Sequence, residues 1–413
     1  MSNLTEDQIE EYALQLLGSL HYDYQNGYDI QPDGQHPERD SFSQVILKER
    51  LESAIAKLNP HLSTEVQQQG QRQLLNIASP DLINNNEIFH QYLTEGITVE
   101  YQQDGETRGE LLKLIDWEHP ENNEFLAVNQ FTVIEDNHNR RPDLVLFING
   151  LPLVVIELKN ASDAKANLQG AYNQLQTYKQ EIPSLFTYNA LLIISDGLTA
   201  RAGSLSAEFN RFQTWKIPPS YISPNGRERE DDPNRNQLEI LIEGLLNPAT
   251  LLDTIRHFTV FEKIKTIDPE TDITRVKTIK KTAAYHQYYA VNKAVSSVVT
   301  AAYETQDHKG GVVWHTQGSG KSLSMVFLAG KLVLTLDNPT IVVLTDRNDL
   351  DDQLFDTFAN CRQLLRQEPQ QADDRAQVRE LLNVSSGGIV FTTVQKFSPE
   401  DNETLYPQQA RSR

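Results

Sequence analysis

Between Asp143 and Lys159 the chain runs apolar segment, Asn149-Gly150, apolar segment, and no other stretch limits the possible folds so tightly. Asn-Gly is the pair selected by a two-residue hairpin turn, because both central residues take positive φ. Asp143-Leu144-Val145-Leu146-Phe147-Ile148 and Leu153-Val154-Val155-Ile156-Glu157-Leu158-Lys159 are therefore predicted to be paired antiparallel strands. Side chains alternate along a strand, so Val154, Ile156 and Leu158 share one face while Val155, Glu157 and Lys159 share the other. The Glu157 carboxylate and the Lys159 ammonium then emerge together at the strand end, where Asp143 can join them from the neighbouring strand. Two carboxylates suit a hard cation such as Mg²⁺, and an adjacent lysine can orient water or balance developing negative charge. The same residues could also end an edge hairpin as solvated charges, so the flanking sequence has to decide.

The amino-terminal side predicts a helix capped by Thr5, with Gln8 completing the cap and Ile9, Ala13, Leu16, Leu17 and Leu20 at helical spacing. A second helix is predicted from Ser43 to Leu58, stopped by Asn59-Pro60. Strands are then expected to dominate, at 96–101, 124–128 and 130–134. After Lys159 comes a helix that carries Gln174 and Tyr178 four apart on one face, within reach of DNA or of the carboxylates. A further strand, Ala190 to Ser195, completes a compact α/β unit. From Pro218 to Asn236 four prolines and the charged run 227–232 mark a loop or linker. Helical segments are expected at 238–246 and 251–261.

The second half holds Gly311-Val312-Val313-Trp314-His315, read as a buried strand, followed by Thr316-Gln317-Gly318-Ser319-Gly320-Lys321-Ser322 and an apolar helix. This is the composition of a phosphate loop. Glycines let backbone N–H groups close round phosphates at a helix N-terminus, Lys321 neutralises the β and γ phosphates, and Ser322 ligates Mg²⁺. Gln317, Gly318, Ser319, Gly320, Lys321 and Ser322 are thus the candidate ATP-binding residues. Gln287, upstream in Tyr285-His286-Gln287, could read an adenine edge. Two more apolar strands, 340–345 and 388–393, predict a parallel sheet, with Asp346, Arg347 and Asn348 just past the end of the first and Thr392, Thr393 and Gln395 at the end of the second.

At 413 residues the chain exceeds what one core usually serves, so two domains are expected, 1–235 and 236–413. The single Cys361 excludes a disulfide framework and a cysteine-rich metal site. Nothing near the start resembles a signal peptide, and no apolar run approaches the roughly 20 residues of a membrane span, so a cytoplasmic protein without a membrane role is expected. The formal charge of −20, from 57 acidic and 37 basic residues, runs against unaided DNA binding. Local basic clusters, Arg140 with Arg141 and Arg275, Lys277, Lys280 and Lys281, partly offset it. Partner subunits are expected to supply the remaining DNA affinity.

Taken together, Arg141-Pro142-Asp143, Glu157-Leu158-Lys159, Gln174 with Tyr178, Tyr285-His286-Gln287 and Trp314 to Ser322 resemble the restriction (motor and endonuclease) subunit of type I restriction-modification enzymes, over nearly the whole chain. The resemblance implies a PD-(D/E)XK nuclease domain followed by a RecA-like superfamily 2 motor domain. It implies Asp143 and Glu157 as Mg²⁺ ligands, Lys159 as the catalytic lysine, Gln174 and Tyr178 as supports of that site, and Gln287 as an adenine contact. The expected activity is ATP-dependent cleavage of unmethylated foreign double-stranded DNA, together with modification (methyltransferase) and specificity subunits. A DNA-repair nuclease-helicase and a catalytically silent assembly module are the alternatives. No Asp-Glu dipeptide occurs in the 413 residues, although a motor of this class needs one to complete Mg²⁺ binding. The expectation is a truncated motor domain that does not hydrolyse ATP on its own.

Overall fold

The computed structural model describes residues 5–103, 106–160, 168–216, 235–267, 274–305 and 308–397. Its contacts divide the chain into two units, one of residues 1–256 with 280–285 and one of 257–279 with 286–413. The expected linker at 218–236 lies almost wholly outside the described residues.

The first unit begins with helix α1 (Glu6–Ser19), entered through the predicted capping box of Thr5 and Gln8, with Ile9, Ala13 and Leu17 buried. Strand β1 (Asp23–Asn26) follows. Helix α2 (Lys48–Leu58) starts five residues later than its periodicity predicts. The preceding residues form a turn and irregular chain, and Leu47, extended at φ −80°, donates its N–H to the Gly150 carbonyl of the hairpin turn instead of to a helical carbonyl. Two further helices, α3 (Thr64–Leu75) and α4 (Leu82–Glu95), occupy a region where strands were expected to dominate. Their start signals are local, with Ser63 and Asp81 as side-chain caps. Strands β2 (Ile97–Gln103) and β3 (Glu106–Leu112) make a separate antiparallel ribbon.

The central sheet is built from β1, β4 (Phe125–Asn129), β7 (Leu144–Ile148), β8 (Leu151–Leu158), β9 (Leu191–Ser195) and β10 (Ala200–Gly203), in the order β1-β4-β7-β8-β9-β10. The small hairpin β5 (Val133–Glu135) and β6 (His138–Arg140) precedes β7, so the expected strand at 130–134 is reduced to its last residues and one beyond. The β7–β8 hairpin turns on Asn149 (φ 53°) and Gly150 (φ 78°), as the Asn-Gly pair requires. It lies in the middle of the sheet rather than at an edge, and both strands are buried along their whole length. Strands β8 and β9 are parallel, joined through the crossover helix α5 (Leu168–Glu181) and the short α6 (Pro183–Thr187). Helices α7 (Gln237–Leu245) and α8 (Pro248–His257) follow, the latter ending before the expected 261.

The second unit contains β11 (Thr259–Ile267) and the β12 (Thr274–Thr282) residues up to Ile279, the last three of β12 belonging to the first unit, then helix α9 (Tyr285–Val299) from His286 on and helix α10 (Lys321–Thr335). Its sheet has β13 (Ile341–Thr345) and the two-residue β14 (Gln370–Gln371) on either side of β15 (Ile389–Thr393), all parallel. The strand expected at 311–315 does not form. Those residues pair with no neighbour, and Val312 and Trp314 are 93% and 89% exposed. An apolar run becomes a strand only where another strand's edge accepts its hydrogen bonds, and none of β13, β14 and β15 pairs with these residues.

The basic cluster at 275–281 also needs correction. Lys280 is 1% exposed, and its ammonium donates to Asn86 Oδ1 (2.9 Å) and the Asn189 carbonyl (2.7 Å). A lysine placed there is not available to a phosphate backbone. Among the described residues no helix is long and apolar enough to cross a membrane.

Candidate active site

The register of the central hairpin aligns Leu144 with Ile156, which places Asp143 across from Glu157 one step further on. The Leu158 N–H donates to Asp143 Oδ2 at 2.7 Å, and the Asp143 carbonyl accepts from the Gln130 N–H at 2.9 Å, so the aspartate is fixed at both its side chain and its main chain. Lys159 continues the ladder past the end of β8, its N–H donating to the Ser195 carbonyl. Its ammonium turns back to donate to Glu157 Oε1 at 2.7 Å and to the Leu158 carbonyl at 2.8 Å. The expected convergence of Asp143, Glu157 and Lys159 is therefore present.

Glu157 is fully buried, and its Oε2 has no hydrogen-bond partner. Burial, reinforced by the neighbouring Asp143 charge, pushes its carboxyl well above the usual range. Burial likewise raises Asp143 to about 6, against the opposing pull of the Leu158 N–H and the Lys159 charge. For Lys159 burial works against ionisation, but Glu157 and Asp143 outweigh it and hold the ammonium above its ordinary value. Two desolvated carboxylates sharing one ammonium carry an uncompensated charge, and an orphaned buried oxygen has lost its hydration. A hard divalent cation answers both conditions. Among the described residues no group of three or more His, Cys, Asp or Glu side chains could hold a metal ion, so an ion bound by Asp143 and Glu157 would draw its remaining ligands from water or phosphate, as Mg²⁺ commonly does.

Helix α5 brings Gln174 and Tyr178 to this centre. Gln174 Nε2 donates to the Tyr178 hydroxyl at 2.5 Å, which in turn reaches the Arg141 carbonyl at 3.4 Å, two residues from Asp143. Tyr178 is buried, and burial, with the charges of Glu157 and Asp143, raises its phenol. Arg140 is paired with Glu181, and Arg141 donates to the Tyr28 hydroxyl while lying over its ring.

In the second unit the loop Thr316–Gly320 leads into α10, with Gly318 (φ 81°) and Gly320 (φ 79°) in the left-handed region. A side chain at Gly320 would lie 2.8 Å from Gln287 Nε2, which donates to the Gly320 carbonyl at 3.0 Å. His286 Nε2 donates to the Ser319 carbonyl at 3.1 Å. Gln287, expected to read adenine, thus braces the loop main chain. The Lys321 ammonium donates to the His315 and Thr316 carbonyls, and Lys321 and Gln317 are exposed while Ser322 is half-buried at the first turn of α10. Of the positions at the strand ends, Asp346 and Arg347 are exposed, whereas Thr392 and Thr393, the last two residues of β15, are buried and so unable to touch DNA as placed.

Residues 3–211 match the family model described as type I restriction enzyme R protein N terminus, and residues 286–413 match that of the SWI2/SNF2 ATPases. The chain belongs to the type I restriction enzyme R protein N-terminal family. It is 46% identical over 408 residues to the type I restriction enzyme HindI endonuclease subunit of Haemophilus influenzae, covering 98% of this chain and 37% of that protein. It is 34% identical over 424 residues to a Methanocaldococcus jannaschii protein provisionally named type I restriction enzyme MjaIXP endonuclease subunit, covering 98% of this chain and 39% of that one. The chain therefore spans well under half the length of these relatives.

In this member of the R protein family, sequence reasoning overlooked the acidic face of α1. Glu6 Oε1 lies 3.7 Å from the Lys159 ammonium, and Glu10 accepts from Asn129 Nδ2 (2.7 Å) and Gln130 Nε2 (2.6 Å). The signal was available as two glutamates four residues apart beside the apolar stripe, one turn of helix from each other.

Proposed function

We propose that this chain carries the nuclease and nucleotide-binding parts of an ATP-dependent endonuclease and translocase subunit of a type I restriction-modification complex. On this reading residues 1–235 form a PD-(D/E)XK endonuclease domain, and 236–413 form part of a RecA-like motor domain. The substrate is unmethylated foreign double-stranded DNA, and the partners are modification (methyltransferase) and specificity subunits, which supply the DNA affinity that a chain of net charge −20 lacks.

The observation that carries the reading is the buried convergence of Asp143, Glu157 and Lys159, with Glu157 Oε2 lacking a partner. Asp143 and Glu157 would hold Mg²⁺, which when bound polarises the scissile phosphate and lowers the pKa of a coordinated water. Lys159 offers a positive charge to the developing negative charge on phosphate. Tyr178, steadied by Gln174, fixes the Arg141 carbonyl and hence the entry to Asp143. In the motor part, Gln317, Gly318, Ser319, Gly320 and Lys321 take the ATP phosphates, Ser322 the accompanying Mg²⁺, and Gln287 holds the loop near the base.

The test is made in the assembled complex. Asp143→Ala, Glu157→Ala and Lys159→Ala should each abolish cleavage while leaving DNA-stimulated ATP hydrolysis intact. Near-normal cutting by any one of them removes that residue from the site.

A further inference from the structure

We propose that Glu6 is the acceptor that receives the Lys159 ammonium when a divalent cation takes Glu157, so that α1 is part of the nuclease centre. The proposal builds on the reading of Asp143 and Glu157 as cation ligands. Lys159 donates to Glu157 Oε1 at 2.7 Å, on the very carboxylate that a cation would need. An ammonium and a divalent ion on one buried carboxylate repel each other strongly in a medium of low polarity. The lysine must therefore yield part of that contact as the cation arrives.

The other partners fixed around the ammonium are the Leu158 carbonyl, at 2.8 Å, and Glu6 Oε1, at 3.7 Å. An ammonium has three donors, and Glu6 is close enough for an ion pair but too far for a hydrogen bond. A small swing of the Lys159 side chain away from Glu157 closes that gap. Glu6 keeps its place because Thr5 and Gln8 cap the helix start, and Ile9, Ala13 and Leu17 anchor the helix in the core. One turn on, Glu10 grips Asn129 and Gln130, and the Gln130 N–H donates to the Asp143 carbonyl. Helix α1 is thus tied to the strand that presents Asp143.

Since no three ligating side chains cluster among the described residues, Glu6 acts through the lysine and is a positioning residue.

Mn²⁺ binding to the 413-residue chain, measured by calorimetry with a melting curve for each variant, tests this without any turnover. Glu6→Gln should weaken Mn²⁺ binding about twofold to fivefold, the size expected of a partly exposed ion pair, and Glu6→Asp should recover most of it. In a Lys159→Met background the same Glu6→Gln change should do nothing. A loss that persists there makes Glu6 a direct partner of the cation and overturns the proposal, as does an unchanged affinity in the single variant. If Glu157→Gln and Asp143→Asn also leave Mn²⁺ binding untouched, the cation site itself is wrong. If those two abolish binding while Glu6→Gln is silent, only the role of Glu6 falls.

Discussion

Asp143 and Leu158 are joined across the central hairpin by a hydrogen bond from the Leu158 N–H to Asp143 Oδ2, 2.7 Å long and buried. One carboxylate oxygen is thereby spent on the sheet while the group as a whole remains costly to ionise. Because burial raises Asp143 to about 6 from an ordinary 3.8, the folded chain binds more protons than the unfolded chain between those values. Stability is lost as pH rises through that window, and the full penalty is present above it. In metal-free buffer at pH 7–8, Asp143→Asn should therefore raise stability by roughly 1–3 kcal/mol, with the gain vanishing below about pH 4. Denaturant melts of the two chains across that range measure it; equal stability at pH 8 would remove the desolvation argument.

Lys280 gives a pH dependence of opposite sense. Burial lowers its ammonium to about 7 from 10.5, so the unfolded chain binds the extra proton between those values and stability should rise with pH across the window. Lys280→Met should flatten that rise. The variant should match or exceed the parent below pH 7 and fall behind it near pH 10, where Asn86 Oδ1 and the Asn189 carbonyl miss their donor. Parallel melting curves with no crossing would show that the amine is charged at every pH tested.

Tyr178→Phe removes the hydroxyl that links Gln174 to the Arg141 carbonyl and keeps the ring that fills the core. Stability should drop by only about 1 kcal/mol. Cleavage in the assembled complex should drop at least tenfold if the hydroxyl positions the approach to Asp143. A proportionate, small loss in both assays would reduce Tyr178 to packing.

Lys321→Ala should abolish nucleotide binding by the 413-residue chain, and cleavage by the assembled complex should fail along with translocation. The parent chain should bind ATP through Gly318, Gly320, Lys321 and Ser322 but show no steady hydrolysis, since no Asp-Glu pair is present to complete the Mg²⁺ site. Fluorescent-nucleotide titration and a phosphate-release assay separate the two steps. DNA-stimulated turnover by the parent chain would contradict the second expectation.

What the residues alone determined is whatever depends on neighbours a few positions away. The capping box at Thr5 and Gln8, the Asn149-Gly150 turn and the antiparallel pair that follows from it are all legible, because backbone φ and side-chain period are local properties. Asp143, Glu157 and Lys159 could be brought to one end of the hairpin for the same reason, but a bulge between Leu146 and Phe147 shifts the register by one residue and sets Asp143 across from Glu157 rather than Ile156. Tertiary structure decided what depends on distant chain. Residues 311–315 have the composition of a strand yet lack a neighbour to pair with, and the run ending at Leu58 loses its first turn because Gly150 claims the Leu47 N–H. Lys280 belongs by sequence to a basic cluster, but α4 and the turn before β9 bury it. Glu6 looks like an ordinary first-turn acid until folding brings the end of β8 within 3.7 Å. Desolvation and charge pairing are summed over whatever packs around a group, and the partners that set them here lie tens to hundreds of residues away.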